Sequence, residues 1–200
     1  GKKSLDDFLH AFTAPALTGP ITNTYSSEDV EQTLHDTYAY DWHGFFQKYV
    51  YDVSDEPPTD MIERSGWRVV WNDKPNLYIK TEGSLNHQIN RWYDLGMIIG
   101  KNATVSDVRY ASPAWQAGIQ AHAGIVAVNG REFNDESADV LENAIKDAQR
   151  GNGRIDLIVH SGNRFNTRTI SYRGGIRNPH LERIPGKPDM LAKIAAPHAR

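Results

Sequence analysis

The chain has 200 residues, a formal net charge of -3 at pH 7, 39% hydrophobic and 24% charged residues, and no cysteine. That balance suits a globular chain and excludes a strongly basic nucleic-acid binder. The missing cysteine excludes a disulfide framework, a thiolate metal site and a Cys nucleophile. No apolar run approaches the roughly 20 residues of a membrane-spanning helix, and the start, GKKSLDDFLHAF, lacks a signal-peptide core.

That start lies inside a helical pattern, which reads as a piece cut from a longer chain. Leu5, Phe8, Leu9 and Phe12 fall on one helical stripe, with Ser4 as the N-cap. Residues 13–25, with Pro15, Gly19 and Pro20, read as a loop. Ser26 and Asp29 form a capping-box start for a helix carrying Val30, Leu34 and Tyr38 on one face. Asp41 caps a further helix, Trp42 to Val50, whose apolar side is aromatic. Residues 1–50 are therefore expected to be a helical segment, and the acidic, Pro-containing stretch within 51–65 a linker.

Beyond it the period changes. Trp67 to Trp71 and Leu77 to Lys80 read as strands joined by a turn, and Gly83 to Asn90 as a loop. Ala103 to Val108 and Ile125 to Val128 are further strands. Asp135 to Arg150 is the best helix, with Leu141, Ala144, Ile145 and Ala148 on one face. Ile155 to His160 and Thr167 to Tyr172 read as a hairpin around Gly162-Asn163. From residue 176 on, the prolines imply an irregular tail, with one turn of helix at Asp189 to Ile194. The fold class is α+β: a small barrel or sandwich with two helices over residues 66–175, preceded by the helical segment.

One stretch organises this pattern, SPAWQAGIQAHAGIVAVNG from Ser112 to Gly130. Ser112 caps a helix that takes Pro113 in its first turn, Gly118 ends it, and Asn129-Gly130 supplies the positive φ angles of a tight turn. This order resembles PDZ domains of the bacterial type. The resemblance implies strand addition of an extended partner, its terminal carboxylate taken by backbone N–H groups of an x-Φ-G-Φ loop. The matching residues are Asp94, Leu95, Gly96 and Met97. Gly96 lets the backbone turn so that N–H groups converge on an anion. Leu95, Met97 and Ile99 would line a side-chain pocket, with Leu141 and Ile145 on the opposite wall and Arg91 helping to neutralise the carboxylate. Two departures stand out. Asp94 brings a negative charge where an incoming carboxylate would sit, and Ala121-His122-Ala123 replaces the usual Pro-Gly-Asp turn.

SLDDFLHAF, YSSEDVEQTL, YDWHGFF, ERSGWRVVW and GGIRNPHLERIPGKPDMLAKI extend the likeness to nearly the whole chain. In that order they resemble the C-terminal part of the M61 glycyl aminopeptidase family. The resemblance implies a bacterial zinc aminopeptidase, its catalytic domain thermolysin-like, with residues 1–50 as the end of that domain. Zinc would belong to the full-length enzyme and not to this chain. The catalytic chemistry needs H-E-x-x-H on a helix, and this sequence has no such motif. Glu31 and His35 have ligand spacing but are only two. The implied partners are a peptide or protein segment in the groove and the chain's own upstream catalytic domain. A self-standing PDZ adaptor, or the PDZ portion of an unrelated processing peptidase, remain alternatives, and the compartment, cytoplasmic or periplasmic, stays open.

Overall fold

The structure is a computed structural model that describes residues 3–13, 22, 24–54 and 57–197. The chain divides into two compact units, residues 1–58 and 59–200. The loop expected over residues 13–25 lies largely outside the described residues.

The first unit is helical. α1 spans Leu5–Thr13, α2 Ser27–Thr37 and α3 Trp42–Phe46, which runs on as a π-helical turn, Gln47–Tyr51. Their starts are written in the sequence. The Ser26 hydroxyl accepts from the Asp29 N–H while the Asp29 carboxylate accepts from the Ser26 N–H, a complete capping box. Asp41 accepts from the Gly44 N–H, 2.9 Å away. The aromatic stripe packs edge to face: Trp42 on Phe45 at 5.6 Å, and Phe45 against Tyr49 at 4.8 Å. No residue of these helices is buried, and Leu5 is 67% exposed.

The second unit is α+β and opens with α4, Asp60–Arg64, inside the stretch read as a linker. β1, Trp67–Asn72, follows as expected. The next segment does not: Leu77 to Lys80 is not a strand but the start of α5, Leu77–Asn86. The reason is the cap. Asn76 is extended at φ -69°, ψ 170°, and its Oδ1 accepts from the Ile79 N–H at 2.8 Å. A helix so started overrides the weak strand preference of Tyr78 and Ile79. α5 continues through much of the stretch read as a loop and ends where His87 turns left-handed, at φ 50°.

Three short strands come next, of which two flank the expected loop: β2, Ile89–Arg91, β3, Met97–Ile99, and β4, Val105–Val108. α6, Pro113–Gln116, is capped by the Ser112 hydroxyl, which accepts from the Trp115 N–H at 3.2 Å. β5, Gly124–Val128, and β6, Arg131–Glu132, flank the Asn129-Gly130 turn, where φ is +48° and +76°. α7, Ala138–Arg150, buries Leu141, Ala144, Ile145 and Ala148, the face its periodicity marks. β7, Arg154–Ser161, and β8, Arg164–Ser171, form the expected hairpin.

The tail is not irregular. β9, Asn178–Arg183, pairs antiparallel with β1, Trp67 facing Arg183 and Asn72 facing Asn178. Its side chains explain the pairing. Asn178 is buried and donates to the Asp73 carbonyl at 3.3 Å. The Arg177 and Arg183 guanidinium groups lie over Trp71 and Trp67, 4.7 and 5.2 Å from the ring centroids. α8, Met190–Ala195, is capped by Asp189, which also accepts from the Trp67 indole N–H at 2.9 Å.

The strands form three open sheets, β1-β9, β2-β3-β4 and β6-β5-β7-β8, and not a closed barrel. One core joins the last two sheets and α7. Leu95, Met97, Ile99, Leu141, Ile145 and Leu157 are fully buried within it. Among the described residues, no helix is long and apolar enough to cross a membrane.

Candidate peptide-binding site

The loop from Arg91 to Met97 joins β2 to β3 and rests on α6. Gly96 sits at φ +78°, and a Cβ there would run into the Ser112 side chain, so only glycine fits. The Gly96 carbonyl accepts from the Arg109 N–H at 2.8 Å and from the Ser112 hydroxyl at 3.3 Å. The Leu95 carbonyl accepts from the Ala114 N–H at 2.9 Å. The stretch around Ser112 thus holds the loop in place, which joins two parts of the sequence pattern physically.

The N–H groups that were to receive a carboxylate are bonded within the chain. Gly96 N–H donates to the Arg91 carbonyl at 2.8 Å, and Leu95 N–H to Asp94 Oδ1 at 2.7 Å. Asp94 Oδ2 accepts from the Arg177 N–H at 3.5 Å. The buried Asp94 carboxylate therefore takes one loop N–H, that of Leu95, and the backbone N–H of Arg177. Arg91 is buried beside it, Nη1 3.5 Å from Asp94 Oδ2, while Nη2 lies 3.6 Å from Glu142 Oε1 on α7. Arg91 so neutralises a carboxylate of its own chain.

The edge is also taken. β3 pairs antiparallel with β4 on one side and with β2 on the other, with Asn90 facing Ile98 and Ile98 facing Asp107. The expectation of a free edge beside residues 94–99 is corrected by this register. An added strand has no N–H and C=O row to meet there. Leu95, Met97 and Ile99 meet Leu141 and Ile145 across the core, all five at 0% exposure, so they fill the interior and do not line an open pocket.

Two residues of this arrangement lie outside the sequence expectation: Ile89 and Glu142. The signal for Ile89 was available, since Ile89-Asn90-Arg91 alternates directly before the loop. Glu142 sits next to Leu141 on α7. Arg177 reaches Asp94 from the tail, 83 positions away.

Burial raises the Asp94 carboxyl above its ordinary 3.8, with Arg91 opposing. Between the two values the folded chain keeps a proton that the unfolded chain has released. This group's contribution to stability is therefore full below the ordinary value and falls as pH rises through the raised one. Asp94→Asn is expected to remove that slope, read as denaturation midpoints across the mildly acidic range.

Glu31 lies 3.4 Å from His43 Nδ1, and His35 is exposed. His180 Nε2 lies 2.7 Å from the Lys74 carbonyl, and Glu182 pairs with Arg68 at 3.0 Å. Among the described residues, no three His, Asp or Glu side chains are grouped to hold a metal ion. The donor set described here therefore does not fit a catalytic zinc.

Neither a protein-family model nor a curated protein sequence matches the chain. Among solved structures, an aminopeptidase N family protein from Idiomarina loihiensis is similar in fold, with a TM-score of 0.55 and 14% identity over 86% of this chain. The chain spans 29% of that protein. The PDZ domain of HtrA3, solved with a phage-derived ligand (FGRWV), aligns with 58% of this chain and 91% of that domain, at 20% identity and a TM-score of 0.29. The first likeness is one of fold; the second is too slight to argue from.

Proposed function

We propose that this chain is a non-catalytic C-terminal region of a larger zinc metallo-aminopeptidase of the M61 type. Its 59–200 unit is a PDZ-like module that docks on other parts of the protein and does not capture free C-termini as it stands. The observation carrying this reading is the double pairing of β3: both edges are used within the chain, the Leu95 N–H meets the Asp94 carboxylate and the Gly96 N–H meets the Arg91 carbonyl. The shared fold with part of an aminopeptidase N family protein supports the parent assignment. The sequence supplies no H-E-x-x-H, so the residues that bind zinc and activate water belong elsewhere in the parent.

The purified chain is expected to hydrolyse no glycyl p-nitroanilide, with or without added zinc. Zinc-dependent turnover by this chain alone would overturn the reading. The upstream sequence of the gene checks it independently: an H-E-x-x-H there agrees with it, and its absence favours a free-standing module.

A further inference from the structure

We propose that β8 is a self-recognition edge. Two copies of the chain pair antiparallel through this strand, about a twofold axis at Thr167, and join their four-stranded sheets into one continuous sheet.

Within the 59–200 unit, β8 ends its sheet, with β7 on one side and no strand on the other. The hairpin decides which main-chain groups face the open side. Ser161 and Arg164 close the two-residue turn, and the Tyr172 N–H donates to the Gly153 carbonyl at 2.7 Å. Between those two pairs the bonds alternate, so Arg164, Asn166, Arg168 and Ile170 turn their N–H and C=O groups to β7. Phe165, Thr167 and Thr169 turn theirs outward, where they have no partner among the described residues. Sheet edges are normally blunted by proline, lysine, a bulge or short length. β9 carries Pro179, β2 has three residues and β6 two. β8 has eight residues, no proline, no lysine and an unbroken register with β7. Arg164 to Thr167 are exposed, Phe165 at 67%.

Charge selects the occupant and its register. Centring a pair of β8 strands on Asn166 sets Arg164 against Arg168, and centring it on Arg168 sets that arginine against itself. Both oppose like charges directly. Centring it on Thr167 sets Arg164 against Ile170 and Arg168 against Asn166. That register also completes a side chain the single copy leaves unfinished. Arg168 Nε is buried without a hydrogen-bond partner, and its guanidinium reaches toward Gly118, where a Cβ would lie 3.4 Å from Nη1. In the twofold arrangement, Asn166 of the second copy stands directly opposite Arg168 on the same face of the sheet. The two form a non-hydrogen-bonded pair, the type that brings side chains closer, and the Asn166 amide oxygen is the acceptor Arg168 lacks. Symmetry makes the contact twice, so a second β8 fits this edge as a strand without that asparagine would not.

Sedimentation velocity of the full chain from about 5 to about 500 µM tests this, with a dimer dissociating on the order of 50 µM as the expected result for so small an interface. Thr167→Pro removes an outward N–H from each copy and none from the β7 ladder, and should weaken the dimer about 30-fold. Asn166→Arg sets arginines against each other and should weaken it about tenfold. Asn166→Asp offers Arg168 a charged acceptor and should tighten it about fourfold. In a mixture of isotope-labelled and unlabelled chains, an intermolecular Hα–Hα Overhauser contact between Asn166 and Arg168 is the signature of the register. A chain that stays monomeric to the top of that range, or a dimer indifferent to both Asn166 variants, overturns the proposal. If Thr167→Pro does not fold, the two Asn166 variants decide by the same criteria.

Discussion

Replacing Gly96 by valine is expected to destabilise the 59–200 unit by about 4 kcal/mol, read from the urea midpoint. Two costs add. The backbone at φ +78° is a conformation that β-branched residues avoid. The new Cβ would also meet the Ser112 side chain, which caps α6 and donates to the Gly96 carbonyl. Relief of the clash would have to move α6 or the loop, and either motion breaks the bonds from Arg109 and Ala114 to that loop. Ser112→Gly in the same chain should recover the clash but not the φ strain, so the double variant is expected to lie between the two. Equal stability of Gly96→Val and the unaltered chain would mean that the loop does not hold this conformation.

Leu141→Ala is expected to cost about 2–5 kcal/mol in stability. Leu141 is fully buried on α7 and shares a core with Leu95 and Met97. Truncation leaves a cavity beneath a helix that packs on β5 and β7 through Leu141, Ala144, Ile145 and Ala148. The contrast with an open groove is sharp. A residue on a groove wall would lose peptide affinity on truncation and little stability, because water would already reach it. A variant with an unchanged urea midpoint and weakened binding of an apolar peptide would show that the α7 face looks onto an open channel.

Much of the fold is legible where the signals are local. The capping box at Ser26, the helix after Ser112, the Asn129-Gly130 turn and the apolar face of α7 each depend on residues within one turn of one another. α5 is hidden because its cap, Asn76, also suits a turn and Tyr78 and Ile79 suggest strand. β9 was hidden because its prolines and charges suggest a loop, and its reason to be a strand lies far away: Glu182 meets Arg68 from 114 positions along the chain. The site divides in the same way. The loop Asp94 to Met97 and its support from Ser112 were readable from residue types. Whether the edge of β3 was free was not, since an edge is a matter of register and not of composition. The charge on Asp94 is the one local hint: its buried carboxylate meets the Leu95 N–H and faces the Arg91 guanidinium.

The most direct test is the nuclear Overhauser spectrum of the backbone around β3. Cross-strand contacts between Asn90 and Ile98 on one side, and between Ile98 and Asp107 on the other, are the predicted result. Contacts to Asp107 alone, with residues 89–91 free of β3, would contradict the closed edge and return the site to an open groove.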